Sequence, residues 1–327
     1  MQDLVIPAAA SIVLVILWAA EGVAPLFVGR EHRTAHGLRN TTLGVTNGLL
    51  RAAFFPPLLL GLTLLCEDRG IGLLHLAALP LWASLIAAVL LLDLWHYLWH
   101  ILWHKVPFFW RFHVVHHHDP EVDATTAFRF HTGEILLSCA ALALAVPLFG
   151  VTILEIVAFE TILVATALFH HANVNLPAGL DRAIRLVIVT PRMHWVHHSR
   201  WEPETDSNYS AIFSFWDRMF GTYRVREDIR SLELGLDGYE PRDTDTLTGM
   251  FKTPLGPVKS TSGRPPVVSR AAAVATPATD PANGRQLPLP LAVAAKTTFP
   301  KERPEAVVSG PTVVSGPNRR ASLAESR

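Results

Sequence analysis

The sequence contains few of the residues on which several protein classes depend. It has only two cysteines, Cys66 and Cys139, and both lie in apolar runs. This excludes a disulfide-rich scaffold and a thiolate-bound metal cluster, and it is typical of buried small side chains. Charged residues make up 17% of the chain, below the roughly 25% of soluble globular proteins. Lys+Arg and Asp+Glu both number 28, so no net basic charge indicates a nucleic-acid partner.

Apolar runs of membrane length account for the low charge. Three cover about 4–27, 44–66 and 71–94, and two shorter runs cover about 135–149 and 151–169. A spanning helix needs about 20 apolar residues, so the first three predict transmembrane helices. The two shorter runs predict either a tilted spanning pair or a re-entrant hairpin. The predicted fold class is all-α: a polytopic membrane helical bundle of about four to five transmembrane or re-entrant helices.

Basic residues indicate the orientation of this bundle. They are concentrated after the first, third and fifth runs: Arg30, Arg33 and Arg39; Lys105, Arg111 and Arg129; Arg182, Arg185, Arg192 and Arg200. The positive-inside rule assigns such segments to the cytoplasm. We therefore expect an integral membrane protein with an external amino terminus, a cytoplasmic histidine-rich helical cap and a cytoplasmic C-terminal tail.

Composition divides the chain into four parts. Residues 1–91 are expected to form N-terminal transmembrane helices, 92–223 a histidine-containing domain, 224–250 a linker and 251–327 a tail. The tail holds 12 of the 24 prolines, and it repeats Val-Val-Ser-Gly-Pro at 307–311 and 313–317. Such a segment buries too little apolar surface to offset the entropy of ordering, which predicts a disordered tail.

Thirteen of the sixteen histidines lie between His96 and His198. Residues three and four apart share one helix face, so closely spaced histidines can direct their imidazoles to one point. Three motifs have this spacing: His100 and His104 form HxxxH, His113, His116 and His117 form HxxHH, and His194, His197 and His198 form a second HxxHH. Without metal, so many packed imidazoles would leave buried polar groups unsatisfied.

The number of histidines in the motifs predicts two metal ions. One structural zinc takes four ligands and one catalytic zinc takes three and a water, whereas the three motifs supply eight imidazoles. Imidazole binds iron, zinc, copper and nickel, so the motifs leave the metal open. The histidines outside them have simpler explanations: His32 and His36 lie in a polar loop and are expected to be solvated, and His75 is expected to bond to a neighbour or lie at the interface.

Residues 92–223 resemble the fatty acid hydroxylase/sterol desaturase superfamily of membrane di-iron enzymes, which carries HxxxH, HxxHH and HxxHH motifs. Similar sequence surrounds the motifs here: Asp93, 109–112, 129–131, 169–173, 206–209 and 216–222. Departures occur at Ile101, His118 and Ser210, where many relatives have Arg, Ser and Gly. None of them removes a ligand, but they leave the subfamily and the substrate open.

The resemblance implies that the metal ligands are His100, His104, His113, His116, His117, His194, His197 and His198, with His171 as a ninth and His131 as a tenth. It implies no catalytic residue beyond these ligands. For His131, a hydrogen bond to Glu134 in a loop is an equal alternative. A first motif shifted to His96 and His100 also satisfies the spacing. Asp93, Asn173 and Asp217 would either orient imidazoles or cap helices and turns.

The activity implied by the resemblance is O2-dependent hydroxylation, or desaturation, of a lipid-like substrate from the bilayer. Two iron ions are the implied cofactors and O2 the co-substrate. The chain has no GxGxxG fingerprint and no evident haem module, so electrons are expected from a separate reductase or ferredoxin-like partner. Two alternatives are a zinc-dependent membrane hydrolase and a histidine-rich metal transporter. The chain lacks the HExxH motif of zincins, and a transporter should carry its ligands inside the spans.

Overall fold

The computed structural model describes residues 2–30, 32–239 and 245–256, and these residues form eleven α-helices. They are α1 (Gln2–Val23), α2 (Arg33–Arg69), α3 (Leu81–Lys105), α4 (Pro107–His117), α5 (Thr132–Phe149), α6 (Ile153–His171), α7 (Ala178–Ile184), α8 (Pro191–His197), α9 (Glu202–Thr205), α10 (Phe215–Phe220) and α11 (Leu247–Lys252). Short 3-10 helices cover Leu73–Leu76, Ala124–Phe128, Ile229–Ser231 and Thr253–Leu255. Across these ranges the extended pairing consists of isolated bridges, so the all-α prediction is confirmed.

Five helices are long and apolar enough to cross a membrane: α1, α2, α3, α5 and α6. α5 and α6 have 18 and 19 residues, and at about 1.5 Å per residue each is roughly 27 Å long. That is close to the roughly 30 Å of a bilayer's hydrocarbon core. Exposed side chains on these helices are often large and apolar, as at Ile12, Phe54 and Leu144. These helices make the chain an integral membrane protein.

Local sequence signals explain where the long helices begin and end. α2 and α5 end at Gly70 and Gly150, whose φ angles of 61° and 72° lie in the left-handed region that glycine adopts freely. α6 begins with a capping box, in which Thr152 Oγ1 accepts from the Glu155 N–H and Glu155 accepts from the Thr152 N–H. Pro107 opens α4 two residues after α3 ends, so the two histidine-bearing helices meet at a sharp turn.

The long helices pack in pairs around one apolar core. α1 packs along α6, α2 along α5, and α3 along α6 and α4. Leu59, Leu92, Val146 and Phe159 bring α2, α3, α5 and α6 into this core. Such packing matters in a bilayer, because lipid tails are as apolar as the side chains and helices associate mainly through close contact.

The short helices lie against the histidine-bearing end of the bundle. Asp93 of α3 holds them there: its carboxylate accepts from the N–H groups of Ile212 and Phe213, at 3.2 and 3.0 Å, and from the Trp216 indole at 2.8 Å. Asp217 accepts from the N–H groups of Tyr209 and Ser210. The segment that follows α8 therefore has a defined position against α3.

The C-terminal region is more ordered than the sequence indicates. In the predicted linker, Ile229 and Leu232 are buried beside Trp195. Phe251, expected to begin the tail, instead lies in α11, and Met250 of the same helix is fully buried. The chain therefore continues its fold to residue 256. The rest of the predicted disordered tail, 257–327, lies outside the described residues.

Candidate metal centre

Nine of the ten predicted ligands come together, and they lie on four helices. His100 and His104 occupy the last turns of α3, and His171 ends α6. α4 contributes His113, His116 and His117, while α8 contributes His194 and His197, with His198 following directly. Spacings of three and four residues place the imidazoles of each helix on one side. The four helices then bring these sides together.

The nine imidazoles form two groups, and in each group the nitrogen atoms lie within 4.8 Å of one another. The first group consists of His100, His104, His113, His117 and His197, and the second of His116, His171, His194 and His198. The His117 and His198 rings stack with centroids 4.6 Å apart, so the groups are adjacent. All nine side chains are buried or nearly so.

The contacts within each group suit a cation better than hydrogen bonds. His171 Nε2 lies 3.0 Å from His194 Nε2 and 3.1 Å from the Nε2 atoms of His116 and His198. A neutral imidazole has one N–H, so one hydrogen bond at most can form between any two of these nitrogens. The remaining lone pairs face one another. A metal ion at the centre would accept all four, so the donor set fits a metal.

Bonds to the outer nitrogens orient several of these rings. Nδ1 of His100 donates to the Tyr209 carbonyl, and Nδ1 of His197 to the Ser207 carbonyl, each at 2.7 Å. Nδ1 of His113 lies 2.7 Å from the Glu134 carboxylate. A proton on Nδ1 leaves Nε2 with a free lone pair, which is the form that binds metal.

Burial favours the neutral form of His117 in the first group and of His194 in the second. It lowers the pKa of His117 well below its ordinary value, and the neighbouring His197 and His198 lower it further. Burial has the same effect on the pKa of His194, with His170 and His171 adding to it. A neutral imidazole has the lone pair that a metal needs, so both groups present donors without first losing protons.

Four other histidines lie near the groups without joining them. His131 caps α5, where its Nδ1 accepts from the Gly133 N–H at 2.9 Å, so the structure separates this predicted tenth ligand from both groups. His96 faces the cavity described below, and the grouped pair on α3 is His100 and His104, not the shifted pair. His118 accepts from Arg129 through Nδ1, and His170 Nδ1 donates to the Ala211 carbonyl.

The prediction that His36 is solvated was wrong. This residue lies on α2 and is 1% exposed. Its Nε2 lies 2.9 Å from Asp119 and its Nδ1 lies 3.1 Å from Asp123. The Asp119 carboxylate is itself buried, which alone would raise its pKa, but His36 and Arg129 bring the pKa well below its ordinary value. The loop after the second motif is therefore held by a buried ionic network.

Sequence reasoning missed this network because its members lie far apart in the chain. His36 and Asp119 are separated by 83 residues, and no motif links them.

The structure also distinguishes between the two roles expected for Asp93, Asn173 and Asp217, which were to orient imidazoles or to cap helices and turns. Within the part of the chain that the structure describes, none of these side chains hydrogen-bonds a grouped histidine. Asp93 and Asp217 hold the 209–216 segment, and Asn173 bonds the backbone of Phe27.

A cavity of about 300 Å³ opens beside both groups of histidines. Five grouped imidazoles contribute to its wall: His100, His113, His116, His171 and His194. The wall is otherwise mostly apolar and aromatic, with Trp95, Trp99 and Phe159 among its residues. Most of the lining comes from α2, α3, α5 and α6, which are candidate membrane spans. The cavity therefore offers a mostly apolar space that reaches the grouped histidines.

A family model for fatty acid hydroxylases matches residues 85–222, which include all nine grouped histidines. This segment carries a fatty acid hydroxylase domain, which supports a relationship to the fatty acid hydroxylase/sterol desaturase superfamily. The resemblance drawn from the motifs is thus confirmed.

Curated relatives of the chain are named as lipid hydroxylases or monooxygenases. The chain is 28% identical to ornithine lipid hydroxylase OlsE of Rhizobium tropici, over 39% of this chain and 38% of that protein. It is 30% identical to alkylglycerol monooxygenase of Danio rerio, over 43% and 30% of the two chains, and 25% identical to that of Homo sapiens, over 47% and 34%. The matched segment thus spans between 30% and 38% of the length of each relative. No solved structure matches the chain.

Proposed function

We propose that this protein is a membrane-bound di-iron oxygenase that hydroxylates a lipid at a C–H bond. The observation that carries the proposal is the position of the two groups of imidazoles, which meet an apolar cavity among candidate membrane spans. Hydroxylation is preferred to desaturation because the relatives bear the names hydroxylase and monooxygenase.

The proposed ligands are the nine grouped histidines, without His131. Two iron ions bound by them would supply the reduction of O2 and the oxidation of a substrate C–H bond. The residues of the chain would do the rest: Glu134 and the Tyr209 and Ser207 carbonyls hold ligand rings in one orientation. The aromatic wall would exclude water and hold one carbon close to the metals.

The substrate, the electron donor and the orientation complete the proposal. A lipid substrate would enter the cavity from the bilayer, since most of the lining helices are candidate spans. The names of the relatives favour a polar lipid, such as an amino-acid or ether lipid, over a plain fatty acid. Electrons would come from a separate protein. The positive-inside rule supports a cytoplasmic position for the histidine site and the tail, and we include that orientation in the proposal.

Metal analysis and lipid mass spectrometry together test the proposal. Protein purified in mild detergent from iron-supplied cells should carry close to two irons per chain, one for each group of histidines. Zinc competes well for imidazole sites, so the iron supply must be controlled. Cells expressing the protein should accumulate a lipid heavier by one oxygen atom, and cells expressing His198→Ala should not. Active protein with one metal or none would overturn the two-iron proposal, and an unchanged lipid profile would overturn the hydroxylase.

A further inference from the structure

An ion pair lies within the candidate membrane spans, apart from the nine histidines. Arg51 of α2 donates through Nη2 to the Glu160 carboxylate of α6, and Cys139 of α5 lines the same cavity. Glu160 is buried, while 34% of the Arg51 side chain remains exposed. Charged residues in membrane helices are costly and rare, and those that occur usually mark a substrate or ion pathway.

This pair lines the same cavity as the histidines. Arg51, Cys139 and Glu160 all contribute to the cavity wall. On α6, Glu160 precedes the ligand His171 by eleven residues, which is about 16 Å along the helix axis. Arg51 lies one helical turn beyond Asn47, which bonds the Phe130 carbonyl just before α5. The pair is therefore deeper in the spanning region than the histidines, with apolar and aromatic wall residues around it.

Holding α2 and α6 together does not by itself explain why an ion pair, rather than apolar side chains, lies at this position. Apolar side chains of similar volume hold helices together as well as a buried ion pair, and often better. A guanidinium has five N–H donors, and Glu160 does not use all of them. In a cavity wall that is otherwise mostly apolar, unused donors favour a ligand that brings an acceptor.

The net charge of the Arg51–Glu160 pair indicates which kind of acceptor group the ligand carries. Arg51 and Glu160 neutralise each other, so a full anion would compete with Glu160 for the same guanidinium. A plain hydrocarbon would leave the unused donors unpaired. A neutral oxygen, such as that of a hydroxyl, ester or amide, satisfies them without adding charge.

We propose that Arg51 and Glu160 form a specificity subsite, which binds a neutral hydrogen-bond-accepting oxygen of the lipid substrate and so determines which carbon of its chain reaches the histidines. This inference rests on the proposed function, because it assigns the cavity to the lipid. It extends that function to lipids whose oxygen lies a fixed distance along the chain from the oxidised carbon.

Tryptophan quenching measures such binding without turnover, because Trp95, Trp99 and Trp103 line the cavity. The probes are octadecan-1-ol and octadecane, each carrying bromine at carbons 9 and 10, added to the whole protein in detergent. We expect the wild type to bind the alcohol about tenfold more tightly than the alkane, as for one satisfied hydrogen bond. In the double variant Arg51→Met with Glu160→Leu, which leaves no charge unpaired, this preference should fall below about threefold.

A matched control removes an ion pair that does not line the cavity. Asp181→Leu with Arg185→Met removes the pair of α7, whose nitrogen and oxygen lie 3.4 Å apart, and should keep the tenfold preference. Equal binding of both probes by the wild type would overturn the proposal, as would an unchanged preference in the Arg51/Glu160 double variant. If that variant does not fold, the preference for the alcohol is measured in Arg51→Lys instead, because lysine keeps the charge but has three donors instead of five. A preference reduced severalfold supports the subsite, and an unchanged one overturns it.

Failure of the subsite and failure of the proposed function give different results. Binding of the probes needs neither iron nor turnover, so a missing alcohol preference leaves hydroxylation untouched. A wild type that prefers the alcohol but binds no iron and changes no lipid argues instead against the oxygenase. Once a hydroxylated product is identified, the Arg51/Glu160 double variant should yield several positional isomers where the wild type yields one.

Discussion

At the scale of single residues, adjacent histidines differ in role although they are equally buried. His117 and His118 follow each other at the end of α4 and are 1% and 2% exposed. His117 points into the first group, with its Nε2 3.2 Å from that of His113. His118 turns the other way, where it accepts from Arg129 and stacks on Tyr239. One residue of offset on a helix rotates a side chain by about 100°, which separates the two roles.

This difference predicts the outcome of two substitutions. His117→Ala should lose at least one metal and all turnover, because the alanine offers no donor in its place. His118→Ala should keep both metals and measurable activity, with some loss of thermal stability as Arg129 loses an acceptor. Metal analysis and an activity assay on the two purified variants check this. If His118→Ala were inactive and His117→Ala active, the ligand assignment on α4 would be wrong by one residue.

Glu134 acts through another residue, because its carboxylate bonds Nδ1 of His113. We expect Glu134→Ala to lower metal affinity by about tenfold to a hundredfold, as is typical when the partner of a ligating histidine is removed. Glu155→Ala is the matched control, since Glu155 lies at the start of α6 and bonds Thr152 and Ser84. Competition with a chelator measures both affinities. A Glu134→Ala variant with unchanged affinity would show that His113 does not depend on this carboxylate.

At the scale of elements, α2 does more than cross the membrane. Its amino-terminal turns carry His36 and Asn40 into the loop that follows the second motif, where Asn40 donates to Thr125 at 3.0 Å. Deeper along the same helix, Arg51 meets Glu160 of α6. One continuous helix thus contacts both the loop beside the proposed metal ligands and the wall of the cavity.

The contact of His36 with Asp119 gives a prediction at this scale. His36→Ala removes one partner from a buried ion pair, and should lower the free energy of unfolding by about 3 kcal/mol. His32→Ala should have no measurable effect, because His32 is exposed one turn earlier. Thermal unfolding of both variants in the same detergent provides the comparison. Equal stability of the two variants would mean that His36 is not part of a stabilising network.

At the scale of the whole molecule, α11 near the C-terminal end of the described residues packs against α4, which carries histidines of both groups. Met250 of α11 is fully buried against Leu43 of α2 and Val115 of α4. Val115 lies between the proposed ligands His113 and His116. α11 therefore supports the helix that carries three of the nine proposed ligands, although it lies beyond the segment that the family model matches.

Two truncations test this arrangement. A chain ending at Gly256 should keep its thermal stability and both metals, because all of α11 remains. A chain ending at Thr246 loses Met250 and Pro254, which are both buried. It should lose at least about 2 kcal/mol of stability, as for removal of a buried side chain. Its metal content should fall with it. Equal behaviour of the two truncated chains would show that α11 contributes nothing to the site.

The sequence by itself determined the helical class, the candidate spans and eight of the nine grouped histidines. These features are local: an apolar run of about 20 residues predicts a span, and spacings of three and four residues place His113, His116 and His117 on one helix face. Geometry within one helix does not depend on the rest of the chain. The same motifs also carried the resemblance to the superfamily, which the comparisons confirm.

Only the tertiary structure decided which distant residues meet. It joined His171 to the second group, left His131 as a helix cap, buried His36 beside Asp119 and paired Arg51 with Glu160 across 109 residues. His171 and His131 are both histidines beside apolar runs, so local pattern does not distinguish them. The difference arises because α6 ends against α4 and α8, whereas the first residues of α5 lie where His131 bonds its own backbone. Packing between helices, rather than spacing within one, sets these contacts.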